Sequence, residues 1–116
     1  MWWSIEPADD GYFRIRNQWD GQDGYLGRNG LWNGFEWEPQ PSIYLGALDP
    51  DGWHQQWSLQ PAGNGRVALV NRWDPATGVL TRDGTPIGGG AYGPTPTVSL
   101  HRAADWSSQH WELADN

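Results

Sequence analysis

A tryptophan followed directly by an aspartate occurs twice in the chain, 54 residues apart, as Trp19-Asp20 and Trp73-Asp74. An indole ring stacks on the apolar C–H face of a sugar, and a neighbouring carboxylate accepts hydrogen bonds from the sugar hydroxyls. Both pairs are therefore candidates for carbohydrate binding. The same residues also suit a structural role, in which the ring packs on a strand and the aspartate stabilises a turn.

A second group of aromatic residues lies in the segment 31–41, where Trp32, Phe35 and Trp37 stand among glycine, asparagine and proline. This composition predicts a long loop, and a corresponding loop with a single aromatic residue is predicted over 85–96. Large aromatic side chains on a polar loop usually mark a binding surface, so Trp37 is a candidate ligand contact. The alternative is a hydrophobic plug that closes one end of a barrel.

Residues that enzymes commonly use are present, but without the spacing that catalysis needs. The three histidines show no metal-ligand pattern, and the adjacent serines at 107 and 108 lack a nucleophile-elbow context. Glu36 and Glu38 alternate along an extended segment, so their carboxylates face opposite sides and would not flank one glycosidic bond. We therefore predict a protein that is not an enzyme and that needs no metal or other cofactor.

Composition narrows the class of partner. The 116-residue chain has 14 acidic residues against seven basic ones, all arginine, and a net charge of -7. This charge repels phosphate backbones and anionic lipids, so we expect neither nucleic acid binding nor membrane insertion. The chain has no cysteine, and its first residues predict neither a signal peptide nor a spanning segment. We expect a soluble protein, either cytoplasmic or released without a signal peptide.

The elements that must position these residues repeat along the chain. Trp3, Trp57 and Trp111 are spaced at 54 residues, and each opens a similar short segment. A period near 50 residues indicates a duplicated supersecondary unit. We predict one domain over 1–116, composed of an N-terminal strand and two repeats of about 54 residues. The boundaries are 1–8 for the strand, 9–62 for the first repeat and 63–116 for the second.

Short β-branched or alternating runs between turn residues predict an all-β fold without long helices. Periodicity alone leaves a barrel, a sandwich and a propeller assembled from several chains open. The predicted strands lie at 2–6, 12–18, 24–28, 42–48, 54–60, 66–72, 78–82, 97–102 and 109–114.

The segment Gln55-Gln56-Trp57, followed by Asn71 and then by Thr77-Gly78-Val79-Leu80, resembles the Gln-x-Trp repeat of the ricin-B-type lectins. Gln109-His110-Trp111 falls one period later. The resemblance implies a β-trefoil of three four-stranded units that binds glycans, with the repeated tryptophans in the core and the glutamine side chains bonded to backbone. Because only nine of twelve strands can be counted, we expect a β-trefoil-like fold that is incomplete or completed by oligomerisation.

The resemblance also implies two sugar pockets, each beside the turn that precedes a Gln-x-Trp strand. Leu26 and Leu80 stand where galactose-binding members have an aspartate, so galactose specificity is not carried over. The first candidate pocket contains Asn29, Tyr44, Asp51 and Trp53. The second candidate pocket contains Asp83, His101, Asp105 and Trp106.

Three functions remain in competition. The first is a lectin that binds glycans or glycoproteins through repeated, multivalent sites. The second is a β-trefoil-type proteinase inhibitor that presents one loop, with Arg28 or Arg82 offered to a trypsin-like pocket. The third is a module that docks another protein through its aromatic loop. The duplicated Trp-Asp pairs favour the lectin, because an inhibitor uses one loop only.

Overall fold

The computed structural model describes residues 3–17, 24–88, 91–104 and 107–112. This part of the chain forms nine β-strands and four short 3-10 turns, at Asp9–Gly11, Trp53–Gln55, Pro75–Thr77 and Ser107–Gln109. The strands are β1 (Trp3–Pro7), β2 (Phe13–Asn17), β3 (Tyr25–Trp32), β4 (Trp37–Gly46), β5 (Trp57–Gly63), β6 (Arg66–Asn71), β7 (Val79–Gly88), β8 (Ala91–His101) and β9 (Trp111–Glu112).

The strands form one barrel-like antiparallel sheet with the order β4-β3-β2-β5-β6-β7-β8, while β1 pairs with β2 and β9 pairs with β6. The two halves carry the same pairings. Trp3 lies opposite Asn17 in the first ladder, and Trp57 lies opposite Asn71 in the ladder 54 residues later. The hairpins β3–β4 and β7–β8 correspond in the same way, and their outer strands β4 and β8 approach each other.

The core lies between the ladders and the hairpins, and its centre is Trp57, which is completely buried. The indole N–H of Trp57 donates to the carbonyl of Leu26 at 3.0 Å, and that of Trp111 donates to the carbonyl of Leu80 at 3.1 Å. Each tryptophan is thereby tied to the first strand of its own hairpin. The buried apolar side chains around them are Ile15, Leu26, Leu69, Leu80 and Leu100.

The prediction that Trp3 belongs to the core is wrong, because 44% of Trp3 is exposed. Trp57 and Trp111 are each covered by a hairpin that follows the preceding ladder strand. Among the described residues, no third hairpin covers Trp3, and β1 pairs with β2 alone. Trp3 is therefore a surface residue of an edge strand.

Gln55 and Gln109 hold the turns that precede β5 and β9. The Gln55 amide donates to the carbonyl of Ala47 at 2.7 Å, and its oxygen accepts the Asp49 N–H at 2.8 Å. The Gln109 side chain makes the equivalent pair of bonds, to Arg102 at 2.7 Å and Ala104 at 2.8 Å. Both side chains are buried, so their polar atoms need these backbone partners.

The predicted loops 31–41 and 85–96 are largely strand instead. Strands β3 and β4 pair as far as Trp32 opposite Trp37, and β7 and β8 continue in the same manner. The prolines that suggested a loop lie mainly in β4 and β8, the two ends of the sheet order, where a missing N–H costs no ladder bond. None of the helical turns in the described ranges is long and apolar enough to cross a membrane.

Candidate binding site

A cleft of about 650 Å³ lies between the β3–β4 hairpin, the turn before β5 and the turn after β6. It brings together the four residues that the sequence predicts as one pocket and two tryptophans, Trp37 and Trp73, that the sequence predicts as separate candidates. One of these, Trp73, comes from the second half of the chain. The predicted residues that line the cleft are Asn29, Trp37, Tyr44, Asp51, Trp53 and Trp73.

The ring of Tyr44 stands in a space that two glycines leave open. A Cβ on Gly27 would lie 2.6 Å from the ring, and one on Gly46 would lie 2.7 Å from it. The Tyr44 hydroxyl accepts a hydrogen bond from the Gln55 amide at 3.3 Å, and the ring stacks on His54 with centroids 6.0 Å apart. The strand pair β3–β4 and the turn before β5 together fix this wall of the cleft.

Trp73 forms the opposite wall, and its backbone is held from two sides. Its N–H donates to the Asn71 side-chain oxygen at 3.0 Å, and its carbonyl accepts from Arg28 at 3.0 Å. The indole meets the edge of His54 at a centroid distance of 6.5 Å. A Cβ on Gly30 would lie 2.7 Å from Cη2 of Trp73 and 3.4 Å from Cε3 of Trp37, so Gly30 allows both rings to close on the strand.

Arg28 connects the two halves beneath the cleft and is only 3% exposed. Its guanidinium donates to the carbonyls of Gln40, Trp73 and Asp74, at 2.7, 3.0 and 3.1 Å, and to the Thr77 hydroxyl at 2.9 Å. Burial lowers the pKa of Arg28 from its ordinary value, and the nearby Asp74 carboxylate opposes that shift. An arginine with these partners stays protonated and fixes the turn that carries Trp73.

Trp53 is positioned by a cation beneath its ring. The Arg72 guanidinium lies 4.1 Å from the Trp53 centroid and 4.3 Å from that of Tyr12. Arg72 also donates to the carboxylate of Asp10 at 3.0 Å and to the side-chain oxygen of Gln56 at 2.6 Å. Cation–π contacts of this kind orient an indole, so Trp53 is a fixed platform although 54% of it is exposed.

The polar rim of the cleft is acidic. Asp49 accepts the Asp51 N–H at 3.2 Å, and its other carboxylate oxygen lies 3.9 Å from Nε2 of His54. The Asp51 carboxylate is exposed and has no hydrogen-bond partner among the described residues. Asn29 lies on the hairpin side, where its amide donates to Ser42 at 2.8 Å. Carboxylate and amide groups thus stand beside aromatic faces, as recognition of a polyhydroxylated ring requires.

Several predicted site residues lie elsewhere. Asp74 is outside the cleft, and its carboxylate accepts a hydrogen bond from Thr77 at 2.9 Å within its own turn. The predicted residues Trp19, Asp20, Asp105 and Trp106 lie outside the described part of the chain.

In the second half, Asp83 and His101 come together through Ser99. The Ser99 hydroxyl is hydrogen-bonded to the Asp83 carboxylate and lies 2.8 Å from Nε2 of His101. In a hydrolytic triad the carboxylate contacts the imidazole, and the imidazole takes the serine proton. Here the Ser99 hydroxyl lies between the carboxylate and the imidazole, whereas in a triad the imidazole lies between the other two groups. The cluster presents polar groups of three kinds at one place in the second half.

The aromatic surface continues from the cleft onto the hairpin tip. The rings of Trp32 and Trp37 pack against each other with centroids 5.6 Å apart. Asn33 closes the tip, because its side-chain oxygen accepts the N–H groups of Phe35 and Glu36, each at 2.9 Å. Phe35 is 92% exposed, so the aromatic residues of the hairpin form a surface and not a plug.

Several contributors to the cleft were not found from the sequence as site residues, among them Gly27, Gly30, Arg28, Asp49 and His54. Gly27 and Gly30 leave room for the aromatic rings of the cleft, and a single sequence does not show which glycines have this role. The sequence suggests Arg28 only as an inhibitory arginine, because three of its four hydrogen-bond partners are 45 to 49 residues away along the chain. The aromatic residues in both halves were the one feature of the sequence that could have indicated a site formed by the two halves together.

The fold has a counterpart among solved structures. A chain in the crystal structure of the Haemophilus ducreyi cytolethal distending toxin matches with a TM-score of 0.68 at 21% sequence identity, over 97% of this chain and 59% of that one. This protein therefore spans somewhat more than half of the toxin chain. At this identity the likeness bears on the fold alone, and it supports an all-β, ricin-B-like architecture. No protein-family profile and no curated protein sequence matched.

Proposed function

We propose that this protein binds glycans without catalysis, and that the cleft between the two halves is its main site. The observation that carries the proposal is the combination of three tryptophans and a tyrosine with two carboxylates around one cavity of about 650 Å³. Aromatic faces cover the C–H side of a sugar, and the carboxylates accept hydrogen bonds from its hydroxyls. A ricin-B-like fold is consistent with this use.

The proteinase-inhibitor alternative receives no support from the positions of its arginines. Arg28 is buried and bonded to four oxygen atoms, so it cannot enter a protease pocket without breaking the fold. Arg82 lies within β7, opposite Val98, and not on a protruding loop. We therefore retain glycan binding as the single proposed function.

The test is a glycan array followed by calorimetric titration of the selected oligosaccharide. Replacing Trp73 by alanine removes one wall of the cleft and should weaken binding about tenfold or more, because stacking on an indole contributes about 1 kcal/mol and the wall also excludes water. Leu45→Ala is the control, since Leu45 is an exposed apolar residue outside the cleft. A folded protein that binds no glycan, or equal losses in both variants, would refute the proposal.

We further propose that the protein is multivalent through assembly. The edge strand β1 and the exposed Trp3 offer a pairing surface where a third hairpin would lie in a complete trefoil. Copies joined there would present several clefts to one glycan-bearing surface and gain avidity. Light scattering at micromolar concentration should show an oligomer, and a strictly monomeric mass would exclude this arrangement.

A further inference from the structure

The charges around the cleft do not cancel, which narrows the class of glycan that it would take. Asp49 and Asp51 line the cleft, and the cations close to them are already engaged by the protein. We infer that the cleft selects glycans that carry a protonated amino group, as in a non-acetylated amino sugar. This inference rests on the proposed glycan-binding function and concerns the same site.

The two arginines near the cleft do not neutralise its rim. Arg28 is buried beneath the rings, where its N–H groups are directed at four oxygen atoms and the nearby Asp74 carboxylate balances its charge. Arg72 lies under Trp53 and forms an ion pair with Asp10 at 3.0 Å. His54 is the remaining basic group at the cleft, and it lies 3.9 Å from Asp49. A bound ligand therefore meets an excess of negative charge at the rim.

The aromatic walls of the cleft also favour a positively charged ligand. The faces of tryptophan and tyrosine rings carry negative electrostatic potential, which attracts an ammonium group within about 6 Å of the ring centre. Trp37 and Trp73 both pack on Gly30, and Tyr44 closes the cleft from the other side. The chain as a whole adds to the effect, because its net charge of -7 raises the local concentration of cationic ligands.

A neutral glycan uses the cleft differently from a cationic one. The rings can stack on either sugar, while the carboxylates gain an ion pair, in which donor and acceptor are both charged, only from an ammonium group. N-acetylation removes this charge and adds a bulky acyl group at the same nitrogen. The comparison between free amine and N-acetyl forms of one glycan therefore tests the charge together with the acyl bulk, and the salt dependence of the preference separates the two.

The experiment is a set of matched glycan pairs that differ only in N-acetylation, on glucosamine and galactosamine oligosaccharides, titrated at pH 6 and low salt. We expect the free-amine member of a pair to bind about tenfold more tightly, as a partly desolvated cation–π contact with a carboxylate neighbour allows. The preference should shrink as salt is raised, because exposed charges are screened. Equal affinities, or a preference for the acetylated member, would overturn the inference and leave the proposed glycan binding intact.

Charge-removing variants assign the preference to the cleft. The double variant Asp49→Asn, Asp51→Ser should bind the amine and the N-acetyl member of each pair with equal affinity, whatever it loses in overall affinity for glycans. Glu36→Ser is the matched control, because Glu36 is an exposed acid outside the cleft. A preference that survives in the double variant would overturn the assignment to these carboxylates. A protein that binds no member of any pair and nothing on the glycan array would fail the proposed function itself.

Discussion

Gly30→Ala adds one methyl group at the point where the two tryptophan walls of the cleft meet. The new carbon would lie 2.7 Å from Cη2 and 3.0 Å from Cζ3 of Trp73, and 3.4 Å from Cε3 of Trp37. Carbon atoms rest at about 3.5–4.0 Å, so the Trp73 ring must move by about 1 Å. Its backbone cannot follow easily, because Asn71 and Arg28 hold the N–H and the carbonyl.

The expected result is weaker binding with little change in stability. A displaced ring loses its stacking contact, which contributes about 0.5–1.5 kcal/mol, so the Kd should rise about two- to tenfold. Overpacking costs about 1–3 kcal/mol in a closed core, but Trp73 is only partly buried and can rotate outward. Replacing glycine also stabilises a strand by restricting the unfolded chain, so the free energy of unfolding should stay within about 1 kcal/mol of the parent.

A double-mutant cycle separates this mechanism from a general disturbance of the hairpin. Calorimetric titration would be performed on Gly30→Ala, Trp73→Ala and the double variant, and urea unfolding on each. If the methyl acts by moving Trp73, then Gly30→Ala has no further effect once the ring is gone. Additive losses of binding free energy, or an unchanged Kd in Gly30→Ala, would refute the reasoning.

Two more predictions concern the parts that hold and extend the cleft. Arg28→Met should lower the free energy of unfolding, measured in urea, by about 3–5 kcal/mol. The reason is that the substitution leaves several buried oxygen acceptors without a donor. A loss below about 1 kcal/mol would contradict the role given to Arg28. Trp32→Ala should weaken binding of long oligosaccharides by about two- to tenfold and leave mono- and disaccharides unaffected, because Trp32 extends the aromatic surface past Trp37. Equal losses at all ligand lengths in calorimetric titration would contradict the extended surface.

The sequence predicted the nine strands better than their ends. The repeat of tryptophans marked the starts of β1, β5 and β9, and at β5 and β9 the indole is hydrogen-bonded to the preceding hairpin. The hairpin tips were missed because the segments 31–41 and 85–96 are rich in proline and glycine. These residues are typical of loops and are unfavourable in an interior strand. They are tolerated here because β4 and β8 end the sheet order.

Half of the cleft could be predicted from local sequence. Asn29, Tyr44, Asp51 and Trp53 lie on one hairpin and the turn that follows it, and the structure places them along one cavity. The contribution of Trp73 could not be assigned, because it depends on how the turn after β6 meets a hairpin of the other half. That contact is made by Arg28, whose bonds span 45 to 49 residues.

The two halves share a scaffold and differ where a ligand would bind. Gln55 donates to the Tyr44 hydroxyl at 3.3 Å, and Gln109 donates to the Thr81 hydroxyl at 3.2 Å, so the buried glutamine is satisfied in both. Gly27 in the first half leaves the space that Tyr44 fills, whereas the equivalent Thr81 supplies its own hydroxyl from that position.

This exchange keeps the fold and changes the surface. A ring reaches the cleft in the first half, and the short side chain of Ser99 stands at the place equivalent to Tyr44 in the second. The two halves therefore do not carry two equal sites within the described residues. The second half supplies a turn, held by Arg28, that brings Trp73 to a cleft which the first half could not close by itself.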